Sequence, residues 1–305
     1  MLRQLLLYLS TQSWAYRLIL SIPLTRAMAW RFVAGEDVDS ALAAVRALAA
    51  RGVTATLDHL GENVTTEAEA VAGTDAAIAL LRRIEAAGLK SHVSIKLTQL
   101  GLDLGDDFCE AQVRRVLDCA REYGNFVRID MEGSAYTQRT LDLFYRLRRD
   151  YDPDTVGIVL QSYLYRTTAD VEQAIASGSR VRLVKGAYNE PPEIAYPKKE
   201  QVDRAYRIQM EMLLARGRYP AIATQDERLI GRAQGFAAAE GIAERRFEFQ
   251  MLYGVRRDLQ FRLASEGYNV RCYVPYGTQW YPYFMRRLAE RPANVVFLLG
   301  QLLRR

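Results

Sequence analysis

The chain has 305 residues, half of them hydrophobic, enough to bury either one large barrel core or the cores of two ordinary domains. Its 41 basic and 36 acidic residues leave a net charge of +5 but are interleaved rather than gathered into tracts, which argues against a nucleic-acid surface and keeps an anionic ligand or a lipid surface in view. Cys109, Cys119 and Cys272 lie at no metal-ligand spacing and His59 and His92 are the only histidines, so a disulfide framework, a bound metal and histidine-based catalysis are not expected, and a reducing compartment, the cytoplasm, is.

The first 35 residues carry Arg3, Arg17, Arg26 and Arg31, no acidic residue, and many Leu, Tyr and Trp. No apolar run among them is long enough to span a bilayer. Pro23 divides the segment into two short helices of the kind that caps a domain or lies on a membrane surface. Residues 1–50 are therefore expected to form an N-terminal helical arm, with peripheral contact at the inner face of the membrane as one use for it.

A helix from Asp39 to Ala50, closed by Gly52, leads to a strand from Val53 to Leu57 that ends in DHLGE. The unit then recurs. The helix Asp75 to Ala87 stops at Gly88 before HVSIKLT, and the helix Asp107 to Tyr123 stops at Gly124 before FVRIDME, the glycines suiting the left-handed residue that ends a helix. Helix Tyr136 to Arg149 leads to VGIVLQ, Thr168 to Ala176 leads to VRLVKGA, and Val202 to Arg216 leads to AIATQ. Helices at Leu229 and Phe261 precede EFQML and VRCYVP. Eight short apolar strands, each separated from the next by a helix, leave no hairpin. They predict a parallel sheet, and eight such units predict a closed barrel over residues 51–305.

Polar residues gather at the C-terminal ends of the predicted strands: Asp58, Lys96, Asp130, Gln161, Lys185, Gln225, Gln250 and Tyr273. In such barrels that face holds the active site. No glycine-rich dinucleotide or P-loop pattern is present, so a nucleotide cofactor would sit on the barrel mouth. From Asn269 the block NVRCYVPYGTQWYPYFMRRLAERPAN reads as strand, loop and helix. On that helix Tyr283, Arg286, Arg287 and Glu290 follow helical spacing, so one face carries a phenol, two guanidiniums and a carboxylate: a poor core face and a good anion site. Tyr273, Tyr276, Trp280, Tyr281 and Tyr283 crowd the same block, more aromatic surface than a free face shows, and something flat or small is expected to bind there. Two other readings of these residues stay open: a Schiff-base aldolase or lyase with Lys96 or Lys185 as nucleophile, and a non-catalytic anion receptor.

Several stretches together resemble the bacterial-type proline dehydrogenases: DHLGE from Asp58, SIKLTQLG from Ser94, RIDME from Arg128, VRLVKGAY from Val181, FEFQML from Phe247, and the block from YVPYG to RRLAERPAN. The resemblance runs from Val53 to Asn294. It implies an α/β fold, a distorted (βα)8 TIM-type barrel with an N-terminal helical arm and the final helix, from Trp280, lying over the strand C-termini. It also implies FAD, oxidation of L-proline to Δ1-pyrroline-5-carboxylate by hydride transfer to the flavin, and a quinone that takes the electrons. The length leaves no room for a second catalytic domain, so a monofunctional enzyme is expected, with product transfer to a pyrroline-5-carboxylate dehydrogenase a partnership that the family allows.

Carried over residue by residue, the resemblance gives Arg286, Arg287 and Lys96 the substrate carboxylate and Asp130 the task of steadying that cationic cluster. Tyr273, Tyr283 and Leu252 wall the proline ring, with Tyr283 at ring carbon 4, where relatives preferring 4-hydroxyproline place a smaller polar residue. Glu62 becomes a gate that pairs with Arg286. Met131, Gln161, Arg182, Val184, Lys185, Gly186, Ala187, Tyr188, Thr224, Gln225 and Glu290 line the FAD, with Arg182 near the flavin N5 locus, and Lys199 reaches toward the pyrophosphate. Gln225 departs from the family, which usually has histidine there.

Overall fold

The computed structural model describes residues 29–290, the last three of them, Leu288 to Glu290, by backbone alone. The expected helices of residues 1–28 and the expected cofactor contact of Glu290 lie outside the described residues. Helix α1 (Val38–Ala49) starts where Asp37, in extended backbone, accepts a hydrogen bond from the Ser40 amide at 2.8 Å. Eight strands follow: β1 (Thr54–His59), β2 (Ser91–Ile95), β3 (Val127–Ile129), β4 (Val156–Gln161), β5 (Arg180–Val184), β6 (Ala221–Ala223), β7 (Glu248–Leu252) and β8 (Asn269–Tyr276). Between and after them run α2 (Glu67–Ala86), α3 (Asp106–Glu122), α4 (Ser134–Leu147), α5 (Thr167–Ala176), α6 (Lys199–Arg216), α7 (Glu227–Ala239), α8 (Arg257–Ser265) and α9 (Trp280–Glu290). Each strand pairs in parallel with the next, and β1 pairs with β8 from Thr54 beside Arg271 to His59 beside Tyr276, which closes the barrel in chain order.

Alternation along the strands sorts two layers. Leu57, Val93, Ile95, Val127, Ile129, Leu183, Phe249, Val270 and Val274 join the helices in one apolar core outside the barrel wall. The residues between them, among them Asp58, Ser94, Arg128, Arg182, Glu248, Gln250 and Arg271, are buried and polar. Arg182 of β5 bonds to Gln250 of β7 and to Ser94 of β2, although β5 neighbours only β4 and β6, so these bonds cross the lumen. Barrels of this kind are commonly filled with branched aliphatic side chains. Here the filling is ionic.

Helix α2 begins at Glu67, not at the expected Asp75. Thr66 caps it by accepting from the Glu69 amide at 3.3 Å while the Glu69 carboxylate takes the Thr66 amide at 3.1 Å, a reciprocal box that lies upstream of the apolar repeat. Gly73 is a packing residue inside this helix: a Cβ there would stand 3.0 Å from the carbonyl oxygen of Gln99 in the short turn Thr98–Leu100.

The wall and the mouth exchange helices. Ala41, Leu42, Val45 and Leu48 of α1 belong to the same core as β1 and β8, so α1 covers the seam where the barrel closes. Helix α9 is thereby free to lie on the mouth, where Trp280, Tyr281, Tyr283, Phe284 and Met285 pack with Ala29, Phe32, Val33, Leu60 and Val255. Trp280 is fully buried and its ring nitrogen donates to Glu36 at 3.1 Å. Burying each of the larger side chains among these contributes about 1.5–3 kcal/mol before ordering costs, enough to hold one helix in place. Among the described residues no helix is long and apolar enough to cross a membrane.

Candidate active site

Arg182 is the hub of the lumen. Its Nε donates to Gln250 Oε1 at 2.6 Å, its Nη1 to Asp130 Oδ1 at 2.7 Å and its Nη2 to Ser94 Oγ at 3.3 Å. Asp130, the first residue past β3, also accepts from Ser94 Oγ at 3.2 Å and from the Tyr273 hydroxyl at 2.7 Å. The Arg182 guanidinium lies 5.1 Å from the Tyr273 ring centre. Burial, then Asp130 and Asp58, push the Tyr273 hydroxyl well above its ordinary pKa, so it stays a neutral donor.

Lys96, on the next layer of the β2 side, donates to both oxygens of Asp58 at 2.8 and 2.9 Å and stands 3.8 Å from Asp130. Burial works against its charge, but Asp58, Asp130 and Glu62 outweigh burial and raise its pKa, so it remains an ammonium. Lys96 and Arg182 are therefore divided between two carboxylates. Asp130 takes Arg182, and Asp58 takes Lys96, a counter-charge that the sequence reading placed on Asp130 alone.

One layer higher the mouth narrows under α9. Arg286 donates through Nη2 and Nη1 to the two Glu62 oxygens at 2.7 and 3.1 Å. Burial opposes the charge of Arg286, yet Glu62, Tyr188 and Tyr283 more than compensate, and its pKa rises. The Tyr188 phenol is pushed up by burial, then by Glu62 and Glu132, with Arg286 and Lys96 opposing. The lid cation, the barrel cation and both carboxylates thus act on one phenol, and Thr98 Oγ1, which donates to Glu132, accepts from the amide of Asn63 beside Glu62 at 3.2 Å. Arg287 lies 5.1 Å over the Tyr283 ring on the same helix, and Tyr273 and Leu252 pack against the aromatic underside of α9.

Glu132, absent from the predicted site, belongs to this group of charges. It follows Asp130 at the period of a strand, is buried, and accepts from Thr98 Oγ1 at 3.0 Å. Burial raises its carboxyl to about 7, with Lys96 and the Thr98 hydrogen bond only partly opposing. The alternation in RIDME was the signal that could have found it. The same alternation marks Ser94, Arg128, Glu248 and Arg271, which the apolar look of the strands obscured. Both histidines are driven from the charged form by burial, His92 further by Arg271, Arg180, Arg128 and Arg182.

The predicted cofactor residues lie along the rim from β3 to β6. Met131 is buried, and Gln161 donates through Nε2 to the Glu132 carbonyl at 2.8 Å. Val184, Lys185, Gly186, Ala187 and Tyr188 form a half-buried run from the last residue of β5 onward. Gly186 has φ of 116°, and a Cβ on it would stand 2.4 Å from the Tyr163 ring, so only glycine keeps the backbone this close. Thr224 and Gln225 follow β6, and the buried Gln225 Oε1 accepts no hydrogen bond from the protein. A backbone run kept close by Gly186, beside an unsatisfied amide oxygen, fits a flat ring with polar edges, the chemistry of a flavin. Lys185 is committed within the protein, donating to Asp203 at 2.6 Å and to Asp226 at 3.1 Å, while Lys199, the first residue of α6, also pairs with Asp203. The two lysines meet a diphosphate only by exchanging these partners. No cluster of metal-binding side chains occurs among the described residues.

Residues 41–299 match the family model described as proline dehydrogenase. Proline dehydrogenase of Deinococcus radiodurans is 45% identical over 280 residues, spanning 91% of this chain and 90% of that protein. Proline dehydrogenase 2 of Bacillus subtilis is 42% identical over 273 residues, spanning 90% and 89%. The crystal structure of proline utilization A from Bdellovibrio bacteriovorus, inactivated by N-propargylglycine, superposes with a TM-score of 0.81 and 27% identity over 87% of this chain, which spans 32% of that longer one. With the barrel, the lid helix and the mouth cations in place, and a match that runs nearly end to end, the chain belongs to the proline dehydrogenase family.

Proposed function

We propose that the protein oxidises L-proline to Δ1-pyrroline-5-carboxylate with FAD held along the β3–β6 rim, and that a quinone is the final acceptor. The observation that carries this is the Arg182–Asp130–Tyr273 network with Lys96 3.8 Å from Asp130 and Tyr273 packed against the helix cluster whose Arg286 pairs with Glu62. When bound, FAD supplies the hydride acceptor.

The side chains bind and orient. Arg286 and Arg287 present planar donors that suit a carboxylate, and Lys96, kept charged by Asp58, adds a point charge from below. An incoming carboxylate competes with Glu62 for Arg286, so the pair acts as a gate that opens as substrate binds. Leu252, Tyr273 and Tyr283 wall the ring, and the buried underside of α9 keeps water from it. Arg182, with all three of its nitrogen positions engaged, offers a fixed positive charge where negative charge develops.

The Schiff-base alternative needs a neutral amine. Lys96 is held as an ammonium by two buried carboxylates, and Lys185 is ion-paired to Asp203 and Asp226. Anaerobic addition of proline to the purified protein is the test. A yellow protein that bleaches, with pyrroline-5-carboxylate formed, is expected. A protein that stays oxidised, or that borohydride links to its substrate, would overturn the proposal.

A further inference from the structure

The floor of the barrel holds a carboxylate that the proposed chemistry does not use. Glu248, the first residue of β7, is 1% exposed, and Arg271 Nε donates to its two oxygens at 3.2 and 3.0 Å. Arg271 is tied to the wall in turn, its Nη1 donating to the Ala55 carbonyl at 2.8 Å. Burial pushes the Glu248 carboxyl up, but Arg271, the Gln250 side chain, Arg128 and Arg180 outweigh it and hold the pKa below its ordinary value. Glu248 is therefore ionised and only accepts.

Gln250 stands between this carboxylate and the hub. Its Nε2 donates to Glu248 Oε1 at 2.5 Å, and its Oε1 accepts from Arg182 Nε at 2.6 Å. A guanidinium only donates, a carboxylate only accepts, and a carboxamide has one end of each kind, so a single orientation of Gln250 makes both bonds. Turned over, its amine would face the Arg182 N–H and its oxygen would face a carboxylate. Asp130 and Ser94 hold the other side of the guanidinium. Without Gln250 they would leave Nε free and the plane able to tilt.

We propose that Glu248 is a positioning residue for the oxidation: acting through Gln250, it fixes the orientation of the Arg182 guanidinium at the active site. This rests on Arg182 facing the hydride acceptor. A buried network with every partner satisfied is stiff, and it loosens as a unit when one member stops dictating the direction of its bonds.

The test changes the direction of the bonds before it changes their number. Glu248→Gln removes the charge that fixes the Gln250 amine from below and leaves Arg182 alone to orient the carboxamide. The exchange Glu248→Gln/Gln250→Glu places an acceptor-only group against Arg182 and a donor below it, restoring one consistent direction at unchanged net charge. On the FAD-loaded protein, hydrogen exchange of the Arg182 Nε–H followed by nitrogen-15 NMR reads the orientation, alongside the flavin midpoint potential and steady-state kinetics. In Glu248→Gln, protection of that N–H should fall at least about tenfold and kcat about 10- to 100-fold with KM moved less than about threefold, because misplacement rather than lost binding is the cause. The exchanged pair should recover most of both. Wild-type protection in Glu248→Gln, or an exchanged pair no better than the single variant, overturns the proposal. Should Glu248→Gln fail to fold, Gln250→Met keeps the Glu248–Arg271 pair and removes only the link; it should lose the same protection, and its retention overturns the proposal equally. Lost protection with wild-type kcat and potential would leave the positioning intact and remove the role given to Arg182.

Discussion

Replacing Glu132 by glutamine tests whether the mouth carboxyl is as strained as its surroundings imply. Burial raises it from an ordinary 4.5 to about 7, with Lys96 and Thr98 opposing only in part. At about 1.36 kcal/mol per pH unit, that gap corresponds to about 3 kcal/mol between the protonated and ionised forms. A carboxyl whose pKa is raised on folding contributes stability that is present in full below about 4.5 and is lost as the pH rises through about 7. Glutamine copies the protonated form in shape and in the neutrality that burial favours. The variant should therefore match the parent near pH 5 and exceed it at pH 8 by up to about 3 kcal/mol, or roughly 6 °C in Tm at the ~2 °C per kcal/mol expected for a chain of this size. Thermal melts at the two pH values, with FAD at the same saturating concentration throughout, measure the difference directly. A Tm difference that is equal at pH 5 and pH 8 would show that the Glu132 carboxyl is ordinary and that Lys96 fully offsets its burial.

The remaining expectations concern the charged groups around the same space. Arg286→Met and Arg287→Met should each weaken proline binding by about 2–5 kcal/mol, the range for losing a charge-assisted contact to a desolvated carboxylate, and an unchanged KM would remove that side chain from the clamp. Glu62→Ala should leave folding and flavin content intact while altering the rate of flavin reduction in stopped flow; wild-type traces would show that its bond to Arg286 does not govern entry. Asp58→Asn leaves the Lys96 ammonium buried with its nearest carboxylate gone and should cost about 3–5 kcal/mol in urea melts, whereas adding Lys96→Met should recover part of that loss, and strict additivity would deny the pairing. Tyr283→Ser should lower the specificity constant for proline and narrow its ratio to 4-hydroxyproline, since the buried ring excludes an extra hydroxyl; a constant ratio would reduce Tyr283 to a packed aromatic.

Much of the barrel was legible because its signals are local. Gly88 and Gly124 end their helices in left-handed conformation, as their positions after apolar repeats predict. Predicted strand cores such as VGIVLQ and EFQML coincide with β4 and β7. The start of α2 was misplaced because its capping box at Thr66 and Glu69 lies upstream of the apolar repeat, and only the approach of Gln99 from another unit explains the glycine at position 73. The pairing of opposite charges between Glu62 and Arg286 could be guessed from the motifs. The pairing of Lys96 with Asp58 could not, because Asp58 and Asp130 flank it from neighbouring strands and the choice depends on barrel register.

By itself, then, the sequence determined the eight units, their order and the face on which polar residues collect, since helix ends, strand period and chain connectivity are written within a few dozen residues of one another. The tertiary structure alone decided that α1 covers the β8–β1 seam, which leaves the mouth to α9 as the resemblance implied, and that Arg182 is gripped at once from β2, from Asp130 just past β3 and from β7. The Arg182 bonds join residues up to 88 positions apart in the chain, and they form only when the closed sheet brings alternate side chains of non-neighbouring strands together in one dry lumen, where each buried charge must find its partner.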